Sequence, residues 1–419
     1  MSSCLHVAID ARATPGFTGG VAEVVRGLVA NLHRLPAENF RFSLLVGQDR
    51  PDLRALMPGN CTLMPLPWLQ LPTREITFPV VGTGVAQRAF GFDTSETTRS
   101  IVQRDATGPL RDAGVDVVHG LLQWSVLSDL PLIYHPHDLQ HLHLPQFFTE
   151  AELAERESVY QFYCGRAALI AVNSRWVADD VMRQYRTPAD RLAVVPWAPP
   201  IDEVAEPDPQ AIDAVRSKFR VQGDDFLLYP AAGWEHKNHV RLVEAAALIR
   251  RRKLQPPLLL FTGALKPHTL KVIERAAALG VGDRIRFGAY VSRGELQILY
   301  RLARGLVMPS RFEAGSAPVG EAFALGCPVA CSAVTSLPAQ TDGGALLFDP
   351  DDPREVAKAM WRLWTEPDTR KALVERGREV AKRYTWDLTV DRFGVLYRKA
   401  AGRTLTHADQ DLLNKGPRY

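Results

Sequence analysis

Short apolar runs alternate with amphipathic stretches along almost the whole chain, and this alternation restricts the fold more than any other feature. The predicted strands of the first half are His6–Asp10, Phe42–Val46, Val115–His119, Leu132–Pro136, Ala168–Val172 and Leu192–Val195. A proline-rich segment lies near residue 200, and the pattern then begins again. The later strands are Phe226–Tyr229, Leu258–Phe261, Ile285–Phe287, Gly305–Met308, Pro328–Cys331 and Ala345–Phe348. Strands that alternate with helices form parallel sheets covered by helices. The sequence therefore predicts an α/β protein with two Rossmann-like, doubly wound domains.

Local signals place several helix boundaries. Thr149 with Glu152, and Ser292 with Glu295, have the spacing of a capping box. Three amphipathic stretches end the fold, at about Arg354–Trp364, Asp368–Tyr384 and Leu388–Ala400. We expect an N-terminal domain over 1–200, a second domain over 201–385, a C-terminal helix over 386–401 and a polar tail over 402–419.

Composition excludes several other classes of protein. The 419 residues are 46% hydrophobic and 23% charged, which is ordinary for a soluble globular protein of two or three domains. A net charge of +3 is too small to indicate nucleic-acid binding. The five scattered cysteines favour a reducing, cytoplasmic compartment. We detect neither a signal peptide nor an apolar run long enough to span a bilayer.

The stretch from Ser310 to Ser332 reads S-R-F-E-A-G-S-A-P-V-G-E-A-F-A-L-G-C-P-V-A-C-S. It predicts a loop, a short helix and a buried strand. Pro318 suits the first turn of a helix, because its missing N–H would have no partner there in any case. Gly326 stands where such a helix would need its C′ residue.

Two carboxylates flank the anion site that this arrangement predicts. Glu313 lies in the loop, and we place Glu321 in the first turn of the helix. A loop that leads into a helix N-terminus attracts anions through free N–H groups and the helix dipole. Ionised glutamates accept hydrogen bonds from hydroxyls. The pattern fits a nucleotide diphosphate sugar, but a solvated helix-start Glu321 and an exposed Glu313 are the simpler alternative.

The wider motif F-E-x-x-x-x-P-V-x-E-A-x-A-x-G-x-P-V closely resembles the signature of family 4 glycosyltransferases. That resemblance implies the two-domain GT-B fold, in which the domains face each other across a cleft and the final helix returns to the first domain. In the Glu-x7-Glu element, it assigns Glu313 to the donor sugar and Glu321 to the nucleotide ribose. The segment E-A-G-S lacks the Phe-Gly that many relatives have after the first glutamate.

The string P-A-A-G-W-E-H-K-N-H resembles the donor-diphosphate segment of the same family, and it assigns Lys237 to the departing diphosphate. A cation beside a helix N-terminus is unfavourable unless an anion also binds there. Many relatives have an arginine at one of two positions that are Ala232 and His236 here. The resemblance makes Glu313, His137 and Lys237 the catalytic candidates. The donor-binding candidates are Gly19, Gly20, Gly233, His236, Lys237, Gly263, Glu313, Gly315, Ser316, Ala317, Val319 and Glu321.

Histidines are frequent in the first half, where H-D-L-Q-H resembles a family segment whose histidine faces the transferred sugar. His137 is the candidate for that role, and we expect His141 and His143 to face the acceptor or solvent. The spacing is too loose for a typical zinc site, so we predict no metal. The motif Asp349-Pro350-Asp351 has a local explanation, because it leads into a helix N-cap.

The resemblance implies a retaining, metal-independent hexosyl or deoxyhexosyl transferase without a protein nucleophile. Its donor would be a nucleotide sugar, with mannose or rhamnose expected, and its acceptor a glycan or lipid-linked glycan of a cell-surface polysaccharide. The loop region Pro65–Thr98 would meet that acceptor or the inner membrane surface, or it would merely pack. Two alternatives remain open: a GT-B enzyme that epimerises the sugar at C2, and a non-catalytic sugar-nucleotide-binding module.

Overall fold

A computed structural model describes residues 4–13, 20–82, 98–201, 206–221 and 225–414. The chain divides into two compact units. One consists of Met1–Ala198 together with Thr385–Tyr419, and the other of Pro199–Tyr384. Among the described residues, no helix combines the length and the hydropathy needed to cross a bilayer.

The first unit is built on a seven-stranded parallel sheet of order β3-β2-β1-β6-β7-β8-β9, with β4 and β5 as a separate antiparallel pair. Its strands are β1 Leu5–Asp10, β2 Phe40–Val46, β3 Cys61–Pro65, β4 Thr73–Pro79, β5 Thr98–Arg104, β6 Val117–Gly120, β7 Leu132–Tyr134, β8 Leu169–Val172 and β9 Leu192–Val194. Its first helices are α1 Gly20–Asn31, α2 Pro51–Arg54, α3 Thr107–Asp112, α4 Gln140–His143, α5 Glu150–Arg166 and α6 Arg175–Tyr185.

The second unit has a six-stranded parallel sheet of order β12-β11-β10-β13-β14-β15. Its strands are β10 Phe226–Pro230, β11 Leu258–Thr262, β12 Ile285–Phe287, β13 Gly305–Met308, β14 Val329–Ser332 and β15 Ala345–Phe348. Its helices are α7 Pro209–Phe219, α8 His239–Arg251, α9 His268–Ala278, α10 Arg293–Leu302, α11 Ala317–Ala324, α12 Leu337–Thr341, α13 Pro353–Thr365 and α14 Pro367–Ala381. Strand order reverses between β10 and β13, and α/β sheets bind ligands beyond the carboxyl ends of strands at such a point.

The chain then returns to the first unit through α15 Trp386–Ala400 and α16 His407–Asn414. Helix α15 buries Phe393 and Tyr397 in the core beneath the first sheet. The Tyr397 ring meets the ring of Phe42 edge-on, with 6.2 Å between centroids. Helix α16 lies in a segment where we predicted only a polar tail.

The predicted α/β class is confirmed, and every predicted strand is present within one or two residues at each end. Strand β3 was missed because C-T-L-M-P is short and shows no clear alternation. The prediction of Pro65–Thr98 as a loop is wrong for Thr73–Pro79, which pairs with β5. Outward-facing polar residues hide both strands of that pair from a search for apolar runs. Residues 83–97 lie outside the described part of the chain.

Candidate active site

An ion pair lies at the carboxyl end of the second sheet, where the strand order reverses. Lys237 ends the turn Glu235–Lys237 that follows β10, and Glu313 lies in the loop that follows β13. The Nζ of Lys237 is 2.6 Å from Oε1 of Glu313. Only 8% of Glu313 is exposed. The alternative of an exposed Glu313 on the surface is therefore wrong.

The backbone of Lys237 is fixed from both sides. The buried Tyr229 hydroxyl donates to the Lys237 carbonyl over 2.8 Å and lies 2.9 Å from the Ser310 hydroxyl. Asn238, the next residue, has φ of +59°, a conformation that asparagine tolerates better than most residues. Its Nδ2 donates to the Pro350 carbonyl over 3.0 Å, and α8 begins one residue later. Lys237 therefore lies beside a helix N-terminus, as its sequence context suggests.

The backbone of Glu313 is held by residues that follow β14. Its N–H donates to Thr335 Oγ1 over 3.1 Å, and its carbonyl accepts from Thr335 Oγ1 over 2.5 Å. The Ser336 hydroxyl donates to the same carbonyl over 2.8 Å. These two residues are not among our sequence candidates, since a contact between residues 22 positions apart has no local signal.

Ser316 caps α11 and is itself clamped by Gln340. The Ser316 hydroxyl accepts from the Val319 N–H over 3.4 Å. The Gln340 side chain accepts from the Ser316 N–H over 2.9 Å and donates to the Ser316 carbonyl over 2.8 Å. The amides of Ser316 and Val319 are therefore occupied. Within the described residues, the Gly315 and Ala317 N–H groups have no recorded acceptor, so they are the amides available to an anion.

The boundaries of α11 correct one prediction. The helix begins at Ala317, so Pro318 lies in its first turn as predicted, but Glu321 lies in the second turn. Our placement of Glu321 in the first turn is wrong because Ser316, rather than a later residue, is the N-cap. Gly326 follows the C-cap with φ of +73°, the left-handed conformation expected at C′.

The Glu321 carboxylate faces the interior of the second unit. The hydroxyl of buried Tyr300 donates to Glu321 Oε2 over 2.8 Å. Burial raises the pKa of Glu321, while the Tyr300 hydrogen bond and the nearby positive charge of Arg293 oppose that rise. A solvated helix-start glutamate would not have these partners, so that alternative for Glu321 is also wrong.

The remaining donor-binding candidates of the second unit lie in the loops after β10 and β11. Gly263 has φ of +123°, and a Cβ there would lie 2.8 Å from the Ala231 carbonyl carbon, so only glycine fits. The Gly233 N–H donates to the Ala264 carbonyl over 2.9 Å, which joins the two loops. The His236 carbonyl accepts from the Arg311 N–H over 2.9 Å. These contacts connect the Lys237 segment with the Glu313 loop.

Three candidates belong to the first unit. Gly20 is the first residue of α1, and a Cβ there would meet nothing within 4 Å. Gly19 lies outside the described residues. His137 follows β7 with φ of +63°, and its Nε2 donates to the Leu121 carbonyl over 2.7 Å. That bond makes Nδ1 the acceptor atom of a neutral ring. Burial lowers the pKa of His137, which favours the neutral form.

The other histidines of the first unit have protein partners. His119 lies 2.9 Å from the Tyr397 hydroxyl through Nδ1 and 2.9 Å from His135 through Nε2. His141 is fully buried against Glu157 at 2.8 Å, so our expectation that it faces the acceptor or solvent is wrong. His143 pairs with Asp180 at 2.7 Å. Among the described residues, no group of three His, Cys, Asp or Glu side chains has metal-binding geometry.

Two family profiles match most of the chain. The profile described as Glycosyltransferase Family 4 matches residues 18–202. The profile described as Glycosyl transferases group 1 matches residues 212–380.

Curated relatives agree with these profiles. A D-inositol 3-phosphate glycosyltransferase of Salinispora tropica is 30% identical over 93% of this chain and 83% of its own length. The O-antigen chain mannosyltransferase B of Escherichia coli is 26% identical over 60% of this chain and 66% of its own length, just under two thirds.

Solved structures share the fold over nearly all of the chain. WaaG, a glycosyltransferase involved in lipopolysaccharide biosynthesis, superposes with a TM-score of 0.62 and 17% identity, covering 98% of this chain and 100% of WaaG. Anabaena HepE in complex with UDP and glucose gives 0.64 and 13%, covering 93% of this chain and 98% of HepE. With the two profiles and the full-length relative, these matches show that the chain is a glycosyltransferase of family 4 with the GT-B fold.

Proposed function

We propose that this enzyme transfers a hexosyl or deoxyhexosyl group from a nucleotide diphosphate sugar to a glycan or lipid-linked acceptor, with retention of anomeric configuration. The observation that carries the proposal is the pairing of Lys237 with Glu313 beside the open amides of Gly315 and Ala317. A cation and two N–H groups suit a diphosphate, and an adjacent carboxylate suits sugar hydroxyls.

In the proposed reaction, the bond between the anomeric carbon and the diphosphate oxygen breaks while the acceptor oxygen bonds to that carbon. The acceptor proton passes to the leaving diphosphate, so no protein nucleophile takes part. Lys237 and the two loop amides stabilise the negative charge that develops on the leaving group, which is the kind of effect that contributes most in many enzymes. Glu313 holds the sugar, Glu321 holds the ribose, and neutral His137 accepts a hydrogen bond from a sugar hydroxyl.

The donor is proposed to carry mannose or rhamnose, and the product to belong to a cell-surface polysaccharide. The name of the E. coli relative, an O-antigen chain mannosyltransferase, supports the sugar and the pathway class. The name of WaaG, which refers to lipopolysaccharide biosynthesis, supports the second. The named enzymes among these relatives are transferases, so we do not propose the epimerase or a non-catalytic module.

A two-stage experiment tests the proposal. Thermal shift with a panel of nucleotide sugars identifies the donor, because a ligand at 100 times its Kd adds about 2.7 kcal/mol to the free energy of unfolding. Transfer to candidate glycan acceptors is then measured with and without EDTA, and the product is analysed by NMR.

We expect an α-linked product from an α-linked donor and full activity after chelation, since Lys237 and amides take the place of a cation. A β-linked product would overturn the retaining mechanism. Activity that is lost with EDTA and restored by Mg²⁺ or Mn²⁺ would overturn metal independence. A new sugar nucleotide formed without acceptor would replace the proposal with epimerisation.

A further inference from the structure

The hydroxyl of Thr335 bonds to both backbone groups of Glu313. It accepts from the Glu313 N–H over 3.1 Å and donates to the Glu313 carbonyl over 2.5 Å. Thr335 lies in the loop between β14 and α12, so it approaches Glu313 from a neighbouring strand of the same sheet. A hydroxyl can serve both bonds at once because it has one donor and two acceptor sites.

The backbone of Thr335 is in a conformation that does not favour threonine. Its φ of +48° lies in the left-handed region, where a β-branched residue is strained and glycine is not. Local backbone preference therefore does not explain a threonine here. The two bonds to Glu313 supply a reason, since glycine would remove both.

Ser336 supports only one half of this contact. Its hydroxyl and its N–H donate to the Glu313 carbonyl over 2.8 and 3.4 Å, but neither reaches the Glu313 N–H. Loss of the Thr335 hydroxyl would therefore leave the carbonyl bonded and release the N–H. The peptide plane before Glu313 would then be free to rotate, and with it the direction in which the carboxylate projects.

We propose that Thr335 is a positioning residue for sugar transfer, because its hydroxyl fixes the backbone that aims the Glu313 carboxylate. The proposal rests on the proposed function, in which Glu313 binds the donor sugar. Thr335 itself touches Glu313 rather than the reacting atoms. Catalytic groups must be held close to their productive geometry, and side chains that bind the backbone of such groups are one way to achieve it.

Three substitutions separate the hydroxyl from the backbone strain. Thr335→Val keeps the shape and the β-branch but lacks the hydroxyl, Thr335→Gly relieves the strained φ and also lacks it, and Thr335→Ser retains it. We expect kcat to fall about tenfold in the valine and glycine variants, as for one lost hydrogen bond, and to be rescued in the serine variant. Donor KM should change far less than kcat. The melting temperature should be higher for the glycine than for the valine variant, so that activity and stability do not run in parallel.

A double-mutant cycle with Glu313→Ala tests whether Thr335 acts through Glu313. In that background Thr335→Val should change the residual kcat by less than about twofold, because no carboxylate remains to be aimed. An equal loss in both backgrounds, or a serine variant as impaired as the valine variant, would overturn the proposal. If the unmodified enzyme transfers no sugar at all, the proposed function fails instead, so the two failures are distinguishable.

Discussion

Lys237 and Glu313 are joined by an ion pair of 2.6 Å, although we assign one to the diphosphate and the other to the sugar. A nucleoside diphosphate must share the Lys237 ammonium with that carboxylate. The carboxylate therefore opposes binding of the product, which carries no sugar to offset the competition. The pair links donor binding to product release.

Glu313→Gln should bind a nucleoside diphosphate more tightly while turning over more slowly. A partly exposed ion pair contributes up to about 1 kcal/mol, so we expect a decrease in product Kd of about two- to fivefold by calorimetry. Glu235→Gln makes the same chemical change in the turn that contains Lys237 and serves as the control, with little change expected. Unchanged or weaker product binding in Glu313→Gln would contradict the competition.

The two glutamates should differ in the kinetic constant that they affect. Ribose hydroxyls do not change during transfer, so Glu321→Ala should raise donor KM with kcat nearly intact. A hydrogen bond to a charged group contributes roughly 1.5–3 kcal/mol, which corresponds to about 10- to 150-fold. The sugar gains charge in the transition state, so Glu313→Ala should lower kcat at least as strongly. Steady-state kinetics on both variants would show the reverse pattern if the sugar and ribose ends are exchanged.

Donor binding should weaken in mild acid because burial raises the pKa of Glu321. As pH falls through this raised pKa the carboxylate gains a proton and accepts hydrogen bonds less well, so KM should rise. The Tyr300 hydrogen bond lowers the pKa of Glu321, so Tyr300→Phe should move the rise in KM to higher pH. Glu321→Gln should abolish it. A KM profile that is the same in all three proteins would exclude Glu321 as the titrating group.

The same shift has the opposite sign for stability. A carboxyl whose pKa is raised on folding is bound by a proton more readily in the folded state, so its contribution is present at low pH and lost as pH rises through the folded pKa. Replacement of Glu321 by glutamine removes the buried charge. We therefore expect Glu321→Gln to stabilise the protein near neutral pH relative to the parent, as measured by urea unfolding at two pH values.

His119 should make the first unit sensitive to acid. Burial lowers the pKa of His119 to about 3, so it stays neutral in the folded state and is protonated below its ordinary pKa of about 6.5 in the unfolded state. The cost to the free energy of unfolding should reach about 2 kcal/mol near pH 5. His119→Asn should reduce the dependence of the free energy of unfolding on pH. An equally steep dependence in the variant would contradict this assignment.

Local patterns predicted much of the fold because the signals are short-range. The capping boxes at Thr149 and Ser292 are both formed, and Asp352 caps α13 as its sequence suggests. The motif at Glu313 and Glu321 gave the correct loop–helix–strand order for the same reason. The first residue of α11 was misjudged, since several neighbouring residues were acceptable N-caps.

Contacts between distant segments were outside the reach of such patterns. Gln340 binds Ser316 across 24 positions, and Tyr300 binds Glu321 across 21. Nothing in the sequence around His141 indicates that it pairs with Glu157 rather than facing a substrate. These long-range partners hold the candidate site residues in place.

The clamps of Thr335 on Glu313 and of Gln340 on Ser316 leave only Ala314 and Gly315 between them. Both ends of this short span are anchored to the loop and helix that follow β14. We therefore expect evolution, or a protein engineer, to retune donor preference by exchanging side chains at these two positions, without redesigning the backbone. A library confined to Ala314 and Gly315 would be small enough to sample completely.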